Sequence, residues 1–342
     1  MAVSGNLDYS GSSLALYRFL REVVTGGLAQ PHEVEVLWGR LGPPALKDAY
    51  GTVGIPVILN AAPKAYDVVL CNSILTGSLV RRCADQCPVV WWIHEPRFGA
   101  DMVRRGPDLP AAFTAATRIV FPTRWQATDI YSEWLAHENW VVVDNGVNVD
   151  LTPQLRPADL PPGCFTILQL GGVERRKGAD VTLEAVRRLA DPRVHLVYVG
   201  PRHPNFMPEL TAEEAARIRF AGPKPETQVA AYLQHCDALS CPTRDDLVNL
   251  AILEALQSGL PVAASSFGAI PGTIRHDWNG LLSPVGDATA LAANLARLRD
   301  DPALRRRLAI NGQETHRERH TVARQRDALL TILEEASATA RR

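Results

Sequence analysis

Two acidic side chains, Asp246 and Glu254, stand eight positions apart in the stretch CPTRDDLVNLAILEALQSGLPVAAS, Cys241 to Ser265. Ahead of them Ala238 and Leu239 lead an apolar run into Cys241-Pro242-Thr243. Leu250, Ile252, Leu253 and Leu256 then recur at helical spacing as far as Ser258-Gly259, before a strand-like Pro261 to Ala264. The pattern is one βαβ unit. The free amides at such a helix start suit an anionic group, and a carboxylate one turn in accepts hydrogen bonds from sugar hydroxyls. A nucleotide sugar presents both.

Further groups of this kind recur along the chain. Gly171-Gly172-Val173-Glu174-Arg175-Arg176-Lys177-Gly178 follows an apolar strand, Phe165 to Leu170, and precedes an amphipathic helix from about Asp180 to Leu189. Cations beside a glycine-rich strand exit suit a diphosphate; otherwise they are solvated surface. Lys177 is the principal candidate and Arg176 the second, because only one side of the loop can face a ligand. Trp91-Trp92-Ile93-His94-Glu95-Pro96 places a histidine and a glutamate at the end of a buried strand, where they contact a sugar, tune a proton transfer, or simply cap the next helix. Asp8-Tyr9-Ser10-Gly11-Ser12-Ser13 sits between the opening strand and the helical pattern Leu14 to Val24. Gly11 there lets backbone amides approach a phosphate or a reacting sugar, or is an ordinary αL turn with Ser12 or Ser13 as N-cap. No G-x-G-x-x-G is present, so a dinucleotide site is unsupported. Asp144-Asn145-Gly146-Val147-Asn148 reads as a turn near a hinge. The spacing of Asp245-Asp246 does not match a D-x-D metal site, and no Ser-His-Asp or Cys-His order stands out.

The elements that must carry these residues alternate from end to end. Strand-like runs at Val34 to Leu37, Val68 to Cys71, Val89 to Ile93, Ile119 to Phe121 and Trp140 to Val143 are followed by Phe165 to Leu170, His195 to Val199, Ile218 to Phe220, Ala238 to Cys241 and Pro261 to Ala264, with helices between. Such alternation builds parallel sheets covered on both faces, an α/β doubly wound class. With 342 residues, two domains are expected. The proline-rich Leu151 to Gly163 reads as their linker, giving 1–155 and 156–321, with a C-terminal helix at about 322–338 that crosses back to the first domain. Ligands of open parallel sheets bind beyond the strands' carboxyl ends, which for two facing domains is the cleft between them.

Composition removes several classes. A formal net charge of -1 argues against a nucleic-acid partner. No run of about 18 uncharged apolar residues exists, so no transmembrane segment is expected, although peripheral membrane association stays open. The six scattered cysteines and the lack of a secretion signal at the N-terminus fit reduced thiols in a cytoplasmic protein.

In this order the segments LQLGGVERRKGADVTLEA, IRFAGPKPETQVAAYLQHCDALSCPT, DDLVNLAILEALQSGLPVAAS and GAIPGTIRHDWNGLLSPVGD, with DVVLCNSI, VVWWIHE, RIVFPTRW and VVDNGVNVD before them, resemble the retaining family-four glycosyltransferases of GT-B fold. The resemblance implies an N-terminal acceptor-binding and a C-terminal nucleotide-sugar-binding Rossmann-like domain. It also implies site roles. Asp246 replaces the first glutamate of the family's E-x7-E element, on the donor sugar, and Glu254 is the second, on the ribose. Amides of Leu247, Val248, Asn249 and Leu250 hold sugar or phosphate. Lys177 lies on the diphosphate with Gly171, Gly172 and Arg176 in its loop, and Gly222 and Pro223 read the base. Gly11 frames the reaction centre and His94 faces the transferring sugar. Apart from the resemblance, Ser12, Glu95 and Arg97 are candidates beside His94 toward the acceptor, Arg97 otherwise being a surface charge.

Three residues depart from the family pattern: Asp246 is shorter than glutamate, Gly172 stands where many members carry an arginine, and Gly272 where a glutamate is frequent. The implied activity is hexose transfer from a UDP- or GDP-sugar to a hydroxyl acceptor with retention, without metal or cofactor. The alternatives are a catalytically silent subunit of the same fold that binds a nucleotide or a partner transferase, and a UDP-sugar epimerase.

Overall fold

The computed structural model describes residues 1–8, 11–26, 32–42, 44–135, 138–247 and 249–340. Among these, seven strands form a first sheet: β1 (Ala2–Ser4), β2 (Val36–Trp38), β3 (Val57–Ile58), β4 (Val69–Asn72), β5 (Val89–Trp92), β6 (Arg118–Phe121) and β7 (Trp140–Val142). Six form a second: β8 (Phe165–Leu170), β9 (Val194–Val199), β10 (Ile218–Gly222), β11 (Ala238–Cys241), β12 (Val262–Ser265) and β13 (Leu281–Ser283). The orders are β3-β2-β1-β4-β5-β6-β7 and β10-β9-β8-β11-β12-β13, with all paired strands parallel. Each order reverses once, between β1 and β4 and between β8 and β11. At such a point adjacent loops turn to opposite faces and open a crevice beyond the strands' carboxyl ends.

The strands form where apolar residues run without interruption, because both faces are covered. In β8, Phe165 and Ile167 enter a core cluster with Val194, Leu196 and Tyr198 of β9, while Leu168 packs on the opposite face with Val197 and Val199. Every one of these side chains is buried, a contribution of about 1.5–3 kcal/mol for each aliphatic. In the first sheet Ala2, Leu70, Val90, Trp92 and Val120 face the helix Gly11–Thr25 and the C-terminal helix Val322–Ala340, whose Leu329, Ile332 and Ala336 enter the same core. Two strands, β3 and β13, escape a sequence-based expectation. They are edge strands of two and three residues beside Pro56 and Gly280, too short to display a period.

The chain divides into two compact units, Met1–Gly146 with His320–Arg342, and Val147–Arg319. This moves the expected boundary at 155 upstream. The proline-rich segment reads as a linker by composition, yet it is tied down along the second unit. Val149 N donates to Gln257 Oε1 (2.7 Å), Gln154 N to Gln234 Oε1 (3.0 Å), and the Tyr232 hydroxyl to Asp159 (2.8 Å). The boundary turn is instead Asn145-Gly146. Asn145 O and Oδ1 accept from His320 Nδ1 (3.1 Å) and Gln325 Nε2 (3.2 Å), and a Cβ on Gly146 would stand 2.5 Å from Thr321 O. No helix among the described residues is long and apolar enough to cross a membrane.

Gly200 closes the top of the second sheet. Its φ is 147°, its amide donates to Gly222 O (3.0 Å), and a Cβ there would lie 1.9 Å from Gly171 O. Gly200→Ala is expected to lower unfolding free energy by about 1–3 kcal/mol, read from a urea midpoint, because both the backbone region and the space are closed to a side chain.

Candidate functional site

The second unit's crevice lies between the loop after β8 and the loop after β11, and these loops are locked to each other through backbone. Arg244 N donates to Arg176 O (2.8 Å), and Thr243 Oγ1 donates to the same oxygen (3.2 Å). Gly178 has φ 74° and passes so close to Pro242 that a Cβ would meet its carbonyl oxygen at 2.1 Å. Side chains add a second tie. The Arg244 guanidinium grips Asp180 with both terminal nitrogens, at 2.7 and 2.8 Å. The lock brings together Lys177 and Asp246, 69 residues apart, as an ion pair between Lys177 Nζ and Asp246 Oδ2. Both side chains are less than one-fifth exposed.

Two helices begin at this place. Ala179–Leu189 starts directly after Gly178, and its buried Val181, Leu183, Ala185 and Val186 hold it to the core. Leu250–Ser258 starts at Asn249, whose Oδ1 caps Ala251 N (3.0 Å), and stops at Gly259 in the left-handed region. The amide dipoles at both starts favour an anion. Glu254 lies in the second turn of the latter helix and is 9% exposed. Burial first, then the Asp246 charge, pushes the Cys241 thiol up to about 12, so this sulfur is no thiolate nucleophile.

Several expected site residues have other work in the structure. Arg176 Nη1 donates to Asp245 O (2.8 Å) and Nη2 to Glu174 Oε1 (2.7 Å), so its charge braces the loop next to Asp246 and is not presented in place of the arginine missing at Gly172. Asp246 keeps both oxygens inside the unit, Oδ2 on Lys177 and Oδ1 on Leu247 N (3.0 Å), because its short side chain folds back on its own turn. The Leu247 amide is thereby engaged; Asn249 acts as the cap, Leu250 opens the helix, and Val248 lies outside the described residues. Gly171 has φ 109°, and a Cβ on Gly172 would meet Glu174 Oε1 at 3.3 Å. Gly222 has φ 71° with its carbonyl on Gly200 N, and Pro223 is exposed. Gly272 faces open space.

In the first unit the helix begins at Gly11, so Ser12 and Ser13 stand inside its first turn and cap nothing from outside. Gly11 is exposed; Ser12 O accepts Asn72 Nδ2 (3.2 Å). His94 follows β5, half-buried, with Nε2 2.9 Å from Asn72 Oδ1 and its ring 4.3 Å from that of Trp92. Burial pushes its imidazole down to about 3. Glu95 turns inward instead of toward a ligand: Oε1 accepts Ser73 Oγ (2.5 Å), Oε2 accepts Ile74 N (2.8 Å) and His94 N (3.1 Å), and burial raises its pKa. Arg97 is exposed with its guanidinium 5.9 Å from the Trp125 ring centroid. Asn72, Ser73 and Arg244 escaped the sequence argument. The available signal was a polar pair ending an apolar strand in VLCNS.

A neutral folded His94 has a thermodynamic consequence. The unfolded chain takes up a proton near the ordinary 6.5 and the folded one only near 3, so stability falls as pH drops through that interval. His94→Gln is expected to lose less stability than the parent between about pH 7 and pH 4.5 in urea unfolding. Equal slopes would show that the imidazole is freely protonated in the fold.

Comparison with known proteins bears on the family and the fold. Residues 164–301 match the family Glycosyl transferases group 1. The lipopolysaccharide core biosynthesis glycosyltransferase LpsD of Rhizobium meliloti (strain 1021) is 30% identical over 197 residues, 56% of this chain and 57% of that protein. A D-inositol 3-phosphate glycosyltransferase of Streptomyces bingchenggensis (strain BCW-1) is 31% identical over 230 residues, 60% of this chain and 50% of that one. The chain thus spans about half the length of the curated relatives it matches. Among solved structures, Anabaena HepE in complex with UDP-glucose superposes with a TM-score of 0.80 over 98% of each chain at 17% identity, a likeness of fold. The similarity to Glycosyl transferases group 1 thus covers residues 164–301, and the chain has the GT-B fold.

Proposed function

We propose that the protein transfers a hexose from a UDP- or GDP-sugar to a hydroxyl acceptor, with retention at the anomeric carbon and no metal. The observation that carries this reading is the Lys177–Asp246 pair, set where two helix N-termini begin at the reversal point of the second sheet. A nucleoside diphosphate fits such a place, since its charge meets a cation and oriented amides at once. Relatives named glycosyltransferases and the UDP-glucose bound by Anabaena HepE support the same class of ligand. The six free cysteines support a reducing, cytoplasmic setting.

In this mechanism the bond between sugar and phosphate breaks, and negative charge grows on the leaving diphosphate. Lys177 has three N–H donors, so it can keep Asp246 and still reach a phosphate oxygen. The helix-start amides share that charge. A leaving phosphate oxygen takes the acceptor's proton on the same face, which needs no separate carboxylate base. Glu254 accepts from the ribose hydroxyls. Asp246 acts on the sugar only through Lys177 or a bridging water, as both its oxygens are held within its own loops. On the first unit the neutral imidazole of His94 meets substrate hydroxyls.

Product formation across UDP- and GDP-sugars tests the reading. Lys177→Ala is expected to lower kcat about 10²-fold, the scale for one lost charge-stabilising donor. Glu254→Ala should raise the donor KM about tenfold or more, as hydrogen bonds to a charged group are lost. Full activity in both variants would sink the assignment.

A further inference from the structure

We infer that Asn72 is a positioning residue that fixes His94 as the Nε2–H tautomer, so that His94 meets substrate through an accepting Nδ1. The inference rests on the proposed role of His94 toward substrate hydroxyls. Its grounds are the atoms at the carboxyl ends of β4 and β5.

Asn72 is the last residue of β4, is fully buried, and can be oriented in one way only. Its neighbour on one side is the carbonyl oxygen of Ser12, 3.2 Å away, which can accept only from the amide nitrogen. The amide oxygen therefore faces His94, 2.9 Å from Nε2. An oxygen acceptor at that distance requires a proton on Nε2. Burial holds the imidazole neutral at ordinary pH, so that proton is the ring's only one. Nδ1 is left with its lone pair and has no hydrogen-bond partner among the described residues.

The backbone on both sides of this pair is clamped. Ser73 sits at φ 78° and ψ 153°, a region costly for a residue with a side chain. It is held there by N donating to Trp92 O (2.7 Å), by its carbonyl accepting Trp91 Nε1 (2.9 Å), and by its hydroxyl on Glu95. Glu95 also accepts the His94 amide. One buried carboxylate thus joins the residue after Asn72 to the residue before itself, and the Trp92 ring lies against the imidazole. Strain at one end and a fully used carboxylate at the other keep the two side chains in register. The result is a ring that accepts a hydrogen bond from an O–H group. It is not a cationic contact for phosphate, in contrast with Lys177 of the second unit.

Nitrogen NMR of the imidazoles in the full chain, without substrate, tests the tautomer directly, with His94→Asn to assign the signals. The expected result is a protonated Nε2 and an unprotonated Nδ1 that persist from about pH 5 to pH 8. A proton on Nδ1, or conversion to imidazolium in that window, would overturn the inference. A kinetic arm uses Asn72→Leu, similar in size but unable to bond either neighbour. It should mix the tautomers and lower kcat roughly tenfold or more, with the donor KM within about twofold. Asn72→Asp, which keeps an oxygen toward Nε2, should instead let His94 charge near neutral pH in the same NMR experiment. Wild-type kcat in Asn72→Leu would also overturn the inference. If no donor is turned over while the wild-type ring shows Nε2–H, the proposed function fails and the hold of Asn72 on His94 stands.

Discussion

The contact on which the second unit depends is the approach of Gly178 to Pro242. No other residue type fits there, since φ is 74° and a Cβ would fall 2.1 Å from a carbonyl oxygen. With the two loops at backbone contact, Arg244 N reaches Arg176 O, Arg244 reaches Asp180, and Arg176 reaches Asp245 O. Lys177 and Asp246 then have no choice but to meet. Their ion pair is the consequence of a steric fact in the neighbouring backbone, not the cause of the loop geometry.

The two sheets carry different groups at their reversal points. Around the reversal point of the second sheet a lysine, two helix starts and a buried glutamate sit together. At the corresponding point of the first sheet stand Asn72, the Ser12 carbonyl and an imidazole that burial keeps uncharged, with the Asp8 carboxylate on Asn6 and Ser13 close by. The buried carboxylate of Glu95 is consumed by Ser73, Ile74 and His94 amide or hydroxyl groups. Burying a carboxylate is tolerable only with such a complete set of donors.

The three departures from the family pattern acquire different meanings in this light. Gly272 faces open space, so a side chain is absent there without disturbing its neighbours. Gly172 removes a cation that Arg176 does not replace, since Arg176 is bound to Asp245 and Glu174. The shortness of Asp246 is the most consequential. One methylene less lets the carboxylate fold onto Leu247 N and Lys177, where it orients an ammonium group.

Much of the architecture was legible in residue order alone. Uninterrupted apolar runs such as FTILQL and VHLVYV can only be strands covered on both faces, and glycine and asparagine mark the helix at Leu250–Ser258 at both ends, so class, sheet and most elements follow from local physics. The candidate residues Lys177, Glu254 and His94 were visible for the same reason, as polar side chains at strand exits or on an apolar helix face. Partnership was not. Whether Glu95 turns inward, whether Arg176 braces a loop, or which ring nitrogen of His94 is used depends on atoms from distant segments, for which sequence spacing carries no signal. The proline-rich segment misled because composition reports local stiffness, whereas Gln234, Gln257 and Tyr232, which tie it down, lie 73 to 108 residues further on. Residue types decided what chemistry was possible, and only the tertiary packing decided which side chains were still available to perform it.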